Sequence, residues 1–341
     1  MKKIFVTGGA GFIGSAFVRL VLSEIPACEV VNFDALTYAG NLDNLAGLED
    51  AERHRFVRGD ICDREAVRAA LDEGTDAVVN FAAESHVDRS ITSADEFLRT
   101  NILGTQVLLD AARERGVRRF VQISTDEVMG SLPDEDEAFF TEDSPFEPNS
   151  PYSASKAAAE HLARAAHHTH GLDTVVTRCG NNYGPRQFPE KFLPLIISNA
   201  MRDEPLPLYG DGRYTRDWIY VEDHCRAILM VMQKGRPGAA YNIGARNERR
   251  NIEVAHAVLN KLGKPLSLIR HVKDRPGHDR RYAIDPSRVE TELGWRPRET
   301  WETGLEKTLR WYADNPEWVE RARSGAYREY YERQYGTEVS S

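Results

Sequence analysis

The chain has 341 residues, of which 28% are charged and 41% hydrophobic, with a formal net charge of −9. This is ordinary globular composition, long enough for one large domain or two closely packed ones with a real core. The acidic balance argues against non-specific nucleic-acid binding. No apolar stretch reaches membrane-spanning length, and Met1-Lys2-Lys3 leads straight into Ile4-Phe5-Val6 with no leader-peptide pattern.

Short β-branched runs alternate with longer amphipathic segments. Strands are predicted over residues 4–7, 29–34, 55–58, 77–81, 120–124 and 175–179, and helices over 13–24, 94–115 and 153–170. This alternation predicts an α/β fold with a parallel sheet covered on both faces, and right-handed crossovers make it a doubly wound Rossmann sheet. Past Gly180 the rhythm breaks: Gly184-Pro185, Pro189, Pro194, Pro205, Pro207, Gly210 and Gly212 crowd together. A smaller, mostly helical lobe is expected to begin there. A helix over 221–233 and a strand over 241–244 return the chain to the first lobe. The aromatic, mixed-charge stretch 324–336 reads as a docked helix. The four cysteines, Cys28, Cys62, Cys179 and Cys225, are widely spaced with no CxxC, as expected of free thiols in a reducing cytoplasm. His161, His167, His168 and His170 cluster without a thiol or carboxylate at ligand spacing, so no metal site is expected.

Thr7-Gly8-Gly9-Ala10-Gly11-Phe12-Ile13-Gly14 follows the first strand and opens the first helix. Gly8, Gly11 and Gly14 form a GxxGxxG variant of the dinucleotide fingerprint. Glycine permits the tight turn and lets the backbone approach a pyrophosphate at the helix N-terminus. Asp34 ends the second strand 20 residues after Gly14, where a carboxylate can bond the adenosine ribose hydroxyls. It selects NAD over NADP. A carboxylate about 4 Å from one unit of phosphate charge costs about 4 kcal/mol at an effective dielectric near 20, or about three decades in affinity. Asp60, after the third strand, is placed to reach the adenine. The lobes then divide as residues 1–180 plus about 216–250 for the dinucleotide, and 181–215 with 251–341 for the substrate.

Tyr152-Ser153-Ala154-Ser155-Lys156 is a YxxxK motif at a helix start, with both side chains on one face. A tyrosine of ordinary pKa near 10 is a poor base. A neighbouring ammonium and a cationic nicotinamide would lower that value. Thr125-Asp126-Glu127 ends the strand over 120–124, at the carboxyl edge of the sheet where ligands bind. Two carboxyls at one substrate let one stay protonated while the other serves as a base.

The glycine turn and YxxxK together resemble the short-chain dehydrogenase/reductase superfamily, in its extended, sugar-nucleotide-modifying branch. Ser124-Thr125-Asp126-Glu127-Val128 resembles the signature of the dTDP-glucose 4,6-dehydratase family. So do the run from Phe81-Ala82-Ala83 through Ser90, Asn181-Asn182-Tyr183-Gly184-Pro185, Arg216-Asp217-Trp218, and the run from Arg275 through Tyr282.

The resemblance implies that Tyr152 deprotonates the 4-hydroxyl, Thr125 holds that oxygen and Lys156 tunes the phenol. Hydride passes from C4 to NAD. Glu127 removes the C5 proton, Asp126 protonates the departing 6-hydroxyl, and hydride returns to C6. It also implies cofactor contacts at Phe12, Ile13, Leu36, Thr37, Ile61, Phe81, Ala82, Ala83, Thr100 and Asn182. On the substrate side it points to Ser85, Asn181, Lys191, Tyr209, Arg216, Asn251, Arg275 and His278, where Lys and Arg suit a diphosphate. The helices over 94–115 and 153–170 match those through which this superfamily forms four-helix homodimers. Met129 and Arg186 stand where the family usually has Tyr, which leaves the sugar and nucleotide open. Sibling 4-epimerases and decarboxylases share the cofactor site and YxxxK but have no need of Asp126 and Glu127. A non-catalytic NAD sensor would not need Thr125, Tyr152 and Lys156.

Overall fold

The computed structural model describes residues 1–48, 52–134 and 138–324. The first six strands are β1 Lys3–Thr7, β2 Glu29–Asp34, β3 His54–Arg58, β4 Ala77–Asn80, β5 Arg119–Thr125 and β6 Thr174–Cys179. They follow the apolar runs of the sequence to within a residue at most ends. β7 Asn181–Tyr183, β8 Leu206–Tyr209, β9 Thr215–Tyr220, β10 Ala240–Ile243, β11 Glu248–Arg250 and β12 Ile269–Val272 complete the set. Seven of them form one parallel sheet in the order β10-β6-β5-β4-β1-β2-β3. This is the doubly wound Rossmann architecture. β10 lies beside β6, the return expected for the strand over 241–244.

Each face of the sheet carries its own core. On one side helix Phe12–Glu24 and helix Val221–Lys234 cover Ile4, Val6, Val79, Val121 and Val175. On the other, Phe5, Phe33, Val78 and Phe120 pack against Val67, Leu108 and Ala112. The near-continuous apolar strands reflect burial on both faces. A third core, around Tyr183, Ile196, Trp218, Val258, Leu305 and Trp318, holds helices Phe192–Met201, Asn251–Leu262, Trp301–Asp314 and Pro316–Ala322 to a three-stranded sheet, β11-β9-β7. β12 and β8 pair separately.

Two local features differ from a plain reading of the sequence. Residues 95–114 form one helical stretch as expected, but Leu98–Gly104 winds with the wider π-type turn. Helix Pro151–His170 starts two residues before the expected span: Ser150 accepts from the Ser153 N–H at 3.1 Å and Pro151 takes the first turn. Gly171, at φ 68°, ends it in the left-handed cap that glycine favours. The stretch 324–336 lies, past Ser324, outside the described residues.

The strand order reverses between β1 and β4, where the chain continues from β3 back across β2 and β1. Crossovers leave that point to opposite faces and open a crevice beyond the carboxyl ends of the strands.

Candidate active site

A cleft of about 390 Å³ lies at this crevice and runs from the glycine turn to the end of β5. At one end, Gly8 sits at φ +68°, and a Cβ there would lie 2.6 Å from the Ala82 nitrogen and 2.8 Å from the Phe81 carbonyl carbon. A Cβ on Gly14 would run into the Gly8 carbonyl oxygen. A side chain at either position would press on backbone, so glycine is what lets the turn pack this closely. Helix Phe12–Glu24 opens behind Gly11 with no side-chain cap, so its first N–H groups are available to an anion.

Asp34 spends both oxygens on backbone. It accepts from the Ala10 N–H at 2.9 Å and from the Leu36 N–H at 2.8 Å. Burial pushes its pKa up against these two bonds. Leu36 takes a left-handed φ of 54° to make its contact. Asp60 accepts from the Cys62 N–H at 2.8 Å and pairs with Arg99 at 3.1 Å.

At the other end, β5 delivers Thr125. Its hydroxyl accepts from the Glu127 N–H at 3.3 Å and starts the turn Asp126–Met129. Gly130 closes the turn at φ 85°, where a Cβ would press on the Glu147 carbonyl oxygen at 2.6 Å. The turn places both carboxyls in the cleft. Asp126 is buried, takes a hydrogen bond from the Thr125 hydroxyl at 3.3 Å, and leaves Oδ2 without a protein partner. Burial, reinforced by Glu127, holds its pKa well above the usual carboxylate range. Glu127 is also raised by burial, but Arg275, Arg216 and Lys191 pull it back. Both carboxyls are therefore raised, Asp126 by burial and by Glu127, while three cations temper the rise at Glu127.

Helix Pro151–His170 presents Tyr152 and Lys156 to the same space. Its register against the cofactor loop is set by buried Asn101, in the wide turn. The Asn101 side chain accepts from the Glu84 N–H at 2.9 Å and donates to the Glu84 carbonyl at 3.0 Å and the Ser155 hydroxyl at 2.8 Å. The Lys156 ammonium donates to the Ile123 carbonyl at 2.6 Å, and burial lowers its pKa to about 8. On balance the protein's own groups do not lower the Tyr152 pKa, although the Thr125 hydroxyl pulls it down. Burial, then the Glu127 carboxylate, hold that phenol well above its ordinary value.

A family model described as GDP-mannose 4,6 dehydratase matches residues 5–308. A dTDP-glucose 4,6-dehydratase of Xanthomonas campestris pv. campestris (strain B100) is 53% identical, over 96% of this chain and 98% of its own. One from Shigella flexneri is 50% identical, over 98% of this chain and 99% of its own. The chain belongs to the dTDP-glucose 4,6-dehydratase family. The fold agrees with a solved dTDP-glucose 4,6-dehydratase from Streptomyces venezuelae, crystallised with NAD bound: TM-score 0.91 at 51% identity, covering 94% of this chain and 99% of that one.

A dehydratase of this family is expected to gather its cofactor and sugar residues at one site, and most of the residues singled out from the sequence do line the cleft. Gly8, Gly11, Phe12, Ile13, Gly14, Asp34, Thr37, Asp60, Ile61, Phe81, Ala82, Ala83, Thr100 and Asn182 all line it. Ser85, Asn181 and Lys191 join Thr125, Asp126, Glu127, Tyr152 and Lys156 at its catalytic end. Lys191 donates to the Ser85 carbonyl at 2.5 Å. Leu36 reaches the cleft only through Asp34. Five others lie beyond it.

Tyr209 and Arg275 line a second cavity of about 250 Å³ and both bond Asp88, at 2.9 and 2.7 Å. Buried Arg216 donates to the carbonyls of Thr215, Arg280 and Asp279. His278 bonds Asp274 at 2.7 Å and stacks on Tyr214, with ring centroids 3.6 Å apart. Asn251 opens its helix with its side-chain oxygen buried and without a partner. Met129 is buried against Arg178 beneath the catalytic turn. Arg186 points its guanidinium over Trp311.

Several lining residues escaped the sequence reading: Glu84, Cys179, Gln187, Phe188, Glu190 and Trp218. Cys179 was legible only as a buried thiol, and burial does push it up to about 12, but it also borders the catalytic end. Glu190, raised to about 7 by burial, precedes Lys191 and pairs with Arg89. Its signal was the neighbouring Lys191, already singled out.

Proposed function

We propose that the protein is a hydro-lyase that converts dTDP-glucose to its 4-keto-6-deoxy derivative, using a bound NAD that is regenerated within each turnover. The observation that carries this reading is the adjacent Asp126–Glu127 pair lining one cleft with Thr125, Tyr152 and Lys156, the Asp126 carboxyl buried and raised well above the usual range and Glu127 tempered by Arg275, Arg216 and Lys191. The cleft fits the dinucleotide. Gly8 and Gly14 let the turn pack closely on the Phe81–Ala82 backbone and on itself, the first helix opens behind it without a side-chain cap, and Ser124 Oγ and Asp126 Oδ2 are buried in the cleft without protein partners. The glycine turn, Asp34 and Asp60 would hold NAD, with Thr100 and Asn182 further along.

When bound, NAD accepts the C4 hydride, returns it to C6, and supplies a pyridinium charge that offsets the raised phenol pKa. Tyr152 takes the 4-hydroxyl proton while the Thr125 hydroxyl holds the oxygen. The resulting ketone acidifies C5–H. Glu127 removes that proton, and Asp126, kept protonated by burial, gives its own to the 6-hydroxyl, which leaves as water. Glu127 exchanges that proton with solvent and returns one to C5, and the proton that Tyr152 took from the 4-hydroxyl passes through solvent to replace the one Asp126 gave. Lys156 holds the strand end through Ile123 and keeps a positive charge near the phenol below about pH 8. Lys191, Arg275, Asn251, Tyr209 and His278, from a second lobe proposed over 181–215 and 251–341, would receive the nucleotide diphosphate together with Arg216 of the return segment 216–250.

Leu98 and Leu103 are 46% and 47% exposed on the 95–114 stretch, which supports a homodimer through this helix and Pro151–His170. Among the described residues no helix is long and apolar enough to cross a membrane, and the proposed setting is the cytoplasm.

The test is turnover of dTDP-glucose in heavy water. A 4-keto-6-deoxy product with one solvent deuteron at C5 is expected. A 4-epimer, a product lacking C6, or a dehydrated product without deuterium at C5 refutes the reading.

A further inference from the structure

The dinucleotide turn is tied to the far end of the chain. Ala10, the middle residue of that turn, donates its N–H to Asp34 at 2.9 Å, and its carbonyl accepts from the Asn41 N–H at 3.1 Å and the Asn44 side-chain amide at 2.9 Å. Asn44 is 1% exposed. Its side-chain oxygen accepts the indole N–H of Trp318 at 3.0 Å, from the helix Pro316–Ala322. Its own carbonyl is held by the Arg19 guanidinium at 2.8 Å, from the helix that the glycine turn opens. Asn44 thus sits at the meeting point of the cofactor turn, the first helix and the last described helix. Its amide can serve Ala10 only while its oxygen faces Trp318. The amide has two ends, and these two bonds fix which way it points.

We infer that Trp318, acting through Asn44, is a positioning residue that holds the Ala10 turn in its NAD-retaining shape and so sets the rate at which the cofactor leaves. The inference rests on the cofactor reading above. Trp318 itself touches no part of the cleft. The same helix makes a second tie to the same loop, Arg321 to Asp43 at 2.8 Å, but that pair is largely exposed and screened by water. The buried bond carries the coupling, and the exposed one supplies a control.

The experiment measures release of NAD from the full chain, by chasing bound labelled NAD with excess unlabelled NAD, alongside the thermal unfolding midpoint. Trp318→Phe keeps an aromatic ring and loses only the N–H and one ring. It should release NAD about three- to tenfold faster, the worth of one buried neutral hydrogen bond. Asn44→Ser should do at least as much, and the double variant should release no faster than Asn44→Ser alone, because both act through one amide. Arg321→Met, which loosens the same helix without touching Asn44, should release at the wild-type rate. A lower midpoint in Trp318→Phe with unchanged release overturns the inference and leaves the proposed function standing. So does additivity in the double variant. A wild-type chain that holds no NAD overturns both.

Discussion

Replacing Glu127 by glutamine tests the division of labour between the two adjacent acids. The amide keeps the size of the side chain and can still meet the Ser153 hydroxyl, which approaches Glu127 at 3.4 Å. What it loses is the proton-accepting oxygen. Loss of a positioned general base costs about 10²–10⁴-fold, or about 2.7–5.4 kcal/mol at 1.36 kcal/mol per decade. The structure adds a second consequence. After burial, the Glu127 charge is the largest influence raising both Asp126 and Tyr152. Removing it lowers the pKa of both. Tyr152 therefore ionises more readily in the variant, so C4 oxidation should be at least as fast as in the wild type while elimination stalls. The assay is single-turnover mixing with dTDP-glucose. Absorbance near that of reduced nicotinamide should rise and persist, with a 4-keto-hexose trapped on the enzyme. Refutation would be an absorbance that fails to rise, or a product that forms at near wild-type rate.

Tyr152→Phe keeps the packing against Phe97, with ring centroids 6.4 Å apart, and removes the base. Turnover should fall about 10²–10⁴-fold with no reduced cofactor accumulating, read by the same absorbance. The Lys156 ammonium is present below its lowered pKa of about 8 and lost above it, so turnover should fall on the alkaline side near that value. Lys156→Arg, charged throughout, should shift that limb upward, and an unmoved limb in a pH–rate profile contradicts the role. Glu160→Ala strips the partner from Arg178, held at 2.9–3.2 Å in a pair whose side chains are 6% and 4% exposed. The stranded charge should cost about 3–5 kcal/mol in urea unfolding, and a loss under about 1 kcal/mol would show that water reaches the site.

The sheet was legible because its strands are buried on both faces and read as plain apolar runs. β1, β2 and β4 to β6 needed nothing else. The three-residue strands β7 and β11 offered no alternation to find. The wide turn at Leu98–Gly104 was invisible for a related reason: apolar residues continue through it, and one extra residue in a turn changes no composition. The cleft's dinucleotide half was legible from Gly8, Gly14 and Asp34, because backbone geometry demands those residue types. The catalytic half was legible in identity but not in bonding. That Lys156 would choose the Ile123 carbonyl, and that Tyr152 would be raised by its own neighbours, depends on burial and on distances that spacing does not encode. The clasp of Asp88 with Tyr209 and Arg275, residues far apart in the chain, likewise had no local signature.

The double engagement of Asp34 constrains how this protein could change its cofactor. Specificity for a 2′-phosphate is usually gained by removing the acid at this position and adding a cation nearby. Here the same carboxylate holds the Ala10 and Leu36 amides, and Gly40 approaches so closely that a Cβ there would lie 2.9 Å from an Asp34 oxygen. A single step from Asp34 to a neutral small residue would free two N–H groups, of buried Ala10 and half-buried Leu36, at the moment it relieved the charge repulsion. The route to a phosphorylated cofactor is therefore closed to one substitution and open only to a coordinated set, a barrier to drift built from two hydrogen bonds.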